Sequence, residues 1–231
     1  MQNLLKTEAL ASLPDRLPVT IAGRTRRVYD LVAGVYPLST MFFHSKAHRC
    51  ALSQSGIRNG MKVLEIATGS GEMFRRLVQA NPDGTTVGLD ISPNMAARTQ
   101  RQVCREFPKA RARCQAVDAR HLPFKDASFD AVVCCYLLEL LSRDDIFRAL
   151  EEVGRVLKPG SAFTLVTIGQ DTDFFNRLYH IAGSAVPAFW GRQIEQEVPK
   201  YLSECRLHIE HDRVVRQSGY PSRVTTARRR R

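Results

Sequence analysis

The sequence predicts an α/β protein built on one open, mostly parallel sheet with helices on its faces. Three observations carry that reading. The segment Lys62-Val63-Leu64-Glu65-Ile66, mostly apolar as a buried strand is, runs into a turn with glycines at 69 and 71. Glu72-Met73-Phe74-Arg75-Arg76-Leu77 then starts a helix, so strand, glycine turn and helix make the first unit of a nucleotide-binding sheet. From Gly60 onward strand and helix patterns alternate, which is the rhythm of parallel strands joined by right-handed crossovers.

Residues 1–27 read as an N-terminal arm, and 28–231 as one domain, since 231 residues are ample for a single core. Val28, Leu31, Val32 and Val35 keep helical spacing up to Pro37, which is expected to break the run. A second helix is predicted over Ser45 to Ser53, closed by Gly56, so that 28–56 caps the sheet edge. Thr85 to Asp90 is the second strand, introduced by the turn Asn81-Pro82-Asp83-Gly84, and Ser92-Pro93 opens the next helix as cap and first residue. Arg111 to Val117 forms the third strand and Phe129 to Tyr136 a largely apolar, central fourth. Asp144 to Leu157 is an amphipathic helix stopped by Pro159-Gly160, and Ser161 to Ile168 is the fifth strand. Residues 171–204 form an aromatic-rich helical insert with Phe174, Phe175, Phe189 and Trp190.

Composition narrows the function. Hydrophobic content of 44% and charge of 25% belong to a globular chain, and no apolar run approaches the ~18 residues of a membrane span. The six cysteines show no Cys-x-x-Cys pair and no clustered histidine, which predicts reduced thiols, a cytoplasmic setting and no metal site. The net charge is +11, of which Arg228 to Arg231 supply four as an expected solvated tail. The basic excess, with Arg24, Arg26 and Arg27 before the first cap helix, fits peripheral contact with an anionic membrane. No RNA-binding or helix-turn-helix pattern supports nucleic acid as a partner.

The glycine turn discriminates between ligands. A dinucleotide needs Gly-x-Gly-x-x-Gly, and in the frame from Gly69 the third glycine is Phe74, too bulky for that role. Glu65 would sit badly beside a diphosphate, whereas a zwitterion carrying ammonium and sulfonium suits a carboxylate there. Ligands of such sheets lie across the carboxyl ends of the strands. Asp90 follows Gly71 by 19 positions, close to the ~20 expected of a carboxylate that accepts from ribose hydroxyls. Asp118 and Ala119 end the third strand, where an acceptor and a backbone amide face a base, with Leu122-Pro123-Phe124 beside it. Tyr136 to Glu139 closes the fourth strand.

Glu65-x-Ala67-x-Gly69-x-Gly71, Asp90-Ile91-Ser92-Pro93-Asn94-Met95, Asp118-Ala119-x-x-Leu122-Pro123-Phe124, Ser128-Phe129-Asp130 and Leu157-Lys158-Pro159-Gly160 together resemble class I S-adenosylmethionine (SAM) methyltransferases. The closest resemblance is to the type 11 domain of ubiquinone/menaquinone biosynthesis C-methyltransferases, with likeness also to bacterial phospholipid N-methyltransferases. It implies a Rossmann-like seven-stranded sheet with an antiparallel last strand, drawn from Glu204 to Gln217 and Gly219 to Arg228, and SAM as cofactor. It implies a cofactor site of Tyr29, Glu65, Ala67, Gly69, Gly71, Asp90, Ile91, Met95, Asp118, Ala119 and Tyr136. The chain departs from the family where Ala67 replaces a usual glycine, and where Tyr136-Leu137-Leu138-Glu139 replaces the Gly-Leu-Arg-Asn of quinone methyltransferases. The acceptor therefore stays open between a phospholipid amine and a quinone or phenol. Glu139 and His44 are the leading candidates for a base, with His48, His121 and His180 behind them. A non-catalytic SAM-binding regulator is the alternative.

Overall fold

The structure, a computed structural model, describes residues 36–169, 194–217 and 221–230, with side chains from residue 45 onward. Its strands are β1 (Lys62–Ile66), β2 (Thr85–Asp90), β3 (Arg111–Ala116), β4 (Phe129–Cys135), β5 (Leu157–Ile168), β6 (Leu207–Val215) and β7 (Ser222–Arg229). They form one sheet in the order β3-β2-β1-β4-β5-β7-β6. Strands β1 to β5 pair in parallel, while β7 runs antiparallel to both β5 and β6. The expected seven-stranded sheet with its antiparallel last strand is therefore present. The chain winds outward from β1 on one side and from β4 on the other, so a crevice opens where the crossovers diverge.

Helices α1 (Tyr36–Gln54), α2 (Glu72–Ala80), α3 (Pro93–Glu106), α4 (Arg143–Val156) and α5 (Val198–Glu204) accompany the sheet. One core lies between Leu64, Leu89, Phe129, Val132 and Phe163 of the sheet and Ile146, Leu150, Val153 and Tyr201 of α4 and α5. The opposite face packs Val63, Val133, Val166 and Val224 against Met73 and Leu77 of α2 and Ala47 and Ala51 of α1. Both faces are covered, which is why β1 and β4 are apolar almost throughout. Phe74, the residue that argued against a dinucleotide, is fully buried beside Val78, Ala96, Val103 and Cys114. Gly88 on β2 makes the room: a Cβ there would stand 2.8 Å from the Phe74 ring.

Two expectations are corrected. Pro37 falls in the first turn of α1, where no backbone N–H is lost, and the run 28–35 that it was expected to end lies outside the described residues. β5 begins at Leu157, directly after α4 ends at Val156, rather than at Ser161, so Pro159-Gly160 sits inside the strand where its pairing with β4 shifts register. Arg228 and Arg229 are not a free tail: β7 runs through them, Arg228 pairs with Glu210 at 2.6 Å, and Arg229 donates to the Leu157 carbonyl. Tyr29, the arginines at 24, 26 and 27, His180 and the aromatic residues of the insert lie outside the described residues.

The entry to β1 is fixed by Asn81, which is 2% exposed. Its Oδ1 accepts from the Met61 N–H at 3.1 Å, and its Nδ2 donates to the Met61 carbonyl at 2.9 Å and to Thr86 Oγ1 at 3.3 Å. Asn81→Ala leaves the Met61 N–H and Thr86 Oγ1 without their Asn81 bonds, while the Met61 carbonyl keeps the Thr85 N–H, so a loss of about 1–3 kcal/mol is expected from urea unfolding. A loss under about 0.5 kcal/mol would show that water replaces the amide.

Candidate functional site

The turn after β1 is built from left-handed backbone. Ala67, Gly69 and Gly71 have φ of 61°, 48° and 80°. The family's usual glycine at 67 would be unstrained there, and alanine carries a cost of about 1 kcal/mol. A Cβ on Gly69 would meet nothing within 4 Å, because the residue faces open space. A Cβ on Gly71 would instead lie 2.8 Å from Thr99 Oγ1, so that glycine serves the packing of α2 on α3. Asp90 fastens the turn: its Oδ2 accepts from the Gly69 N–H at 2.7 Å, and its Oδ1 accepts from the Ser92 N–H at 2.9 Å.

A cavity of about 980 Å³, counting its open mouth, lies over these strand ends. Glu65, Ala67, Gly69, Asp90, Ile91, Asp118, Ala119 and Tyr136 of the predicted set line it. Three predicted residues do not. Gly71 is behind the turn, Met95 is fully buried with its N–H bonded to Ser92 Oγ, and Glu139 is turned away. Leu122 and Phe124 belong to the core rather than to the cavity wall. Tyr29 is outside the described residues, and for His44 only the helical backbone of α1 is described. One turn farther along, His48 does line the cavity, 4% exposed, with its ring 6.2 Å from that of Tyr136.

Sequence reasoning also missed Arg120 and the apolar members Met73, Cys135, Leu137, Leu140 and Leu141. Arg120 follows Asp118 by two positions, a local pairing signal that was available. Its guanidinium donates to both Asp118 oxygens and, at 2.9 Å, to Asp145 Oδ1. Tyr136 itself has φ of 55°, and its hydroxyl lies 2.7 Å from Ser222 Oγ and accepts from Gln217 Nε2 at 3.4 Å.

The acids differ in charge. Burial would raise Asp118, but bonds from the Arg120 guanidinium and backbone hold it below the usual carboxylate range. Glu65 is 1% exposed, and its Oε2 has no hydrogen-bond partner among the described residues. Burial first, and then the negative charge of Asp90, raise it well above the usual range. An unpartnered buried carboxyl, an open glycine cradle and a second acid at the next strand end suit a ligand that is cationic at one end and rich in hydroxyls beyond it.

Glu139 sits in a 3₁₀ turn, Leu138–Leu140, 3% exposed, and its Oε1 accepts from the Ile168 N–H at 2.7 Å. Burial pushes its carboxyl up to about 7 from an ordinary 4.5, against the pull of two backbone N–H bonds. The folded protein holds this proton where the unfolded chain has released it. The stability so gained is full below pH 4.5 and is lost as the pH rises through about 7. Denaturant titrations should show wild type losing roughly 3 kcal/mol more than Glu139→Gln across that window. Parallel curves would mean that Glu139 ionises normally.

Comparison with known proteins agrees with this geometry. Residues 63–160 match the family model described as a methyltransferase domain. The ubiquinone/menaquinone biosynthesis C-methyltransferase UbiE of Hahella chejuensis is 30% identical over 209 residues, covering 85% of this chain and 82% of the relative. Its counterpart in Ralstonia nicotianae is 28% identical over 212 residues, covering 87% and 86%. The crystal structure of magnesium protoporphyrin IX methyltransferase (ChlM) from Synechocystis PCC 6803 with bound SAH superposes with a TM-score of 0.70 at 18% identity, covering 91% of this chain and all of that one. The glycine turn, the sheet order and a relative at 30% identity over 85% of the chain meet in one conclusion: the chain belongs to the class I SAM-dependent methyltransferases.

Proposed function

We propose that the strand-end cavity seats SAM with its ammonium at Glu65, its ribose at Asp90 and its adenine beside Ile91, Asp118 and Ala119, and that the acceptor is a small lipophilic molecule of the quinol or phenol kind. The observation that carries this reading is the placement of Glu65, Asp90 and Asp118 along one cavity whose far wall is His48 and Tyr136. Gly69 supports it, since the space a side chain there would fill is left to the ligand.

Bound in this cavity, SAM supplies an electrophilic methyl on a sulfonium, and the protein's work is positioning and exclusion of water. Met73, Cys135 and Leu137 give that end an apolar lining. Tyr136 is held at one angle by Ser222 and Gln217, so its ring forms a fixed wall. A phenol or ring carbon must shed a proton as it gains the methyl, and His48 is the imidazole placed at that wall. His44, one turn earlier on α1, is the second imidazole on that helix. Glu139 lies behind the wall, where its bond to the Ile168 N–H shapes the end of β5. The quinone-methylating relatives favour a quinol over a phospholipid amine.

Asp90→Asn keeps an acceptor for the turn but loses the charge, and SAM should bind about ten- to a hundredfold more weakly by calorimetry. Equal affinities would remove Asp90 from the ribose. Gly69→Val combines a β-branched side chain with positive φ in the cradle, and its SAM binding should fall below detection. For the acceptor, formation of S-adenosylhomocysteine should be followed with a reduced demethylmenaquinone and with phosphatidylethanolamine vesicles. Turnover is expected with the quinol; turnover with the vesicles alone would replace the quinol reading by the amine.

A further inference from the structure

Glu65 is the cavity residue whose state the fold leaves open, resting on the reading that this cavity seats SAM. It is the fourth residue of β1, 1% exposed, lines the cavity and carries an Oε2 without a partner among the described residues. From β2 it faces Asp90, whose charge is fixed by the Gly69 and Ser92 N–H groups. From β3 and β4 it faces the thiols of Cys114, Cys134 and Cys135, all raised by burial and so uncharged. From α1 and the end of β4, His48 and Tyr136 share its cavity. Arg120, the one arginine lining the cavity among the described residues, is taken up by Asp118 and Asp145. A carboxylate at 65 would therefore meet the negative charge of Asp90 and, among the described residues, no arginine or lysine left to pair with it.

We propose that Glu65 is a specificity-determining residue that receives the cofactor as a neutral carboxylic acid and gives up its proton when the ammonium of SAM arrives, so that adenosine thioethers with the ammonium are selected over those without it. The exchange balances: carboxylic acid and cationic ligand become a carboxylate–ammonium pair, and one proton passes to the solvent buffer. The low dielectric that disfavours a lone carboxylate favours that pair. Selection follows because a ligand lacking the ammonium leaves the acid as it was and gains nothing from Glu65.

Calorimetry of the whole chain in phosphate and in Tris, at about pH 6 to 7 and so below the ~7.7–8.0 of an α-amino group, counts the protons. Binding of SAM and of S-adenosylhomocysteine should each release protons, and 5′-methylthioadenosine, which lacks the ammonium, none. SAM affinity should rise by up to about tenfold per pH unit in that window. Glu65→Gln exchanges one neutral group for another of the same shape. It should release no proton, bind SAM with little pH dependence, and bind 5′-methylthioadenosine within about twofold of wild type. SAM binding to wild type without proton release overturns the inference, as does a Glu65→Gln protein that still releases one. Failure of SAM to bind wild type at all overturns the seating as well. If Glu65→Gln does not fold, the three proton counts on wild type decide.

Discussion

The two backbone bonds to Asp90 hold the site in shape. One carboxylate at the end of β2 takes the N–H of Gly69 from the turn after β1 and the N–H of Ser92 from the cap of α3. It thereby sets the distance between two strand ends and two helix starts. The parallel pairing continues past the formal strand ends in the same region: Thr68 N–H bonds the Leu89 carbonyl and Val117 N–H the Asp90 carbonyl. The cavity floor is consequently backbone tied by hydrogen bonds across three neighbouring strand ends.

That bonding explains how the chain tolerates a departure from its family's pattern at Ala67 and, beside it, a bulky Phe74 where a dinucleotide fold has glycine. Ala67 adopts the positive φ that a glycine would take more easily, because bonds on both sides of it leave no other path. Phe74 occupies the place where a dinucleotide fold needs glycine, and the missing side chain reappears across the interface as Gly88. Volume at this joint is conserved while its distribution between helix and strand is reversed.

Much of the fold was legible from residues with local physics. Strand β2 was bounded by a turn at Asn81 to Gly84 and a serine–proline helix start, and both signals act within a few residues. In the site, Glu65, Asp90 and Asp118 were legible because each sits at the end of a run whose direction is fixed by the sheet. Glu139 was not: its side-chain direction is set by a 3₁₀ turn, Leu138–Leu140, and by the Ile168 N–H twenty-nine residues on. His48 was one of several histidines on equal terms until α1 was laid across the sheet.

The wall formed by Tyr136 has a consequence for when the site comes into being. Its hydroxyl rests on Ser222, the first residue of β7, and on Gln217, whose Oε1 also accepts from the Ala47 N–H of α1. In the sheet β7 lies between β5 and β6, yet it is the last strand to leave the ribosome. A nascent chain that has completed β1 to β5 already carries Glu65, Asp90 and Asp118 at its strand ends but lacks the clamp on Tyr136. That end of the cavity is thus anchored only once synthesis has passed Ser222, and fragments truncated before Ser222 carry a cleft with its Tyr136 wall unanchored.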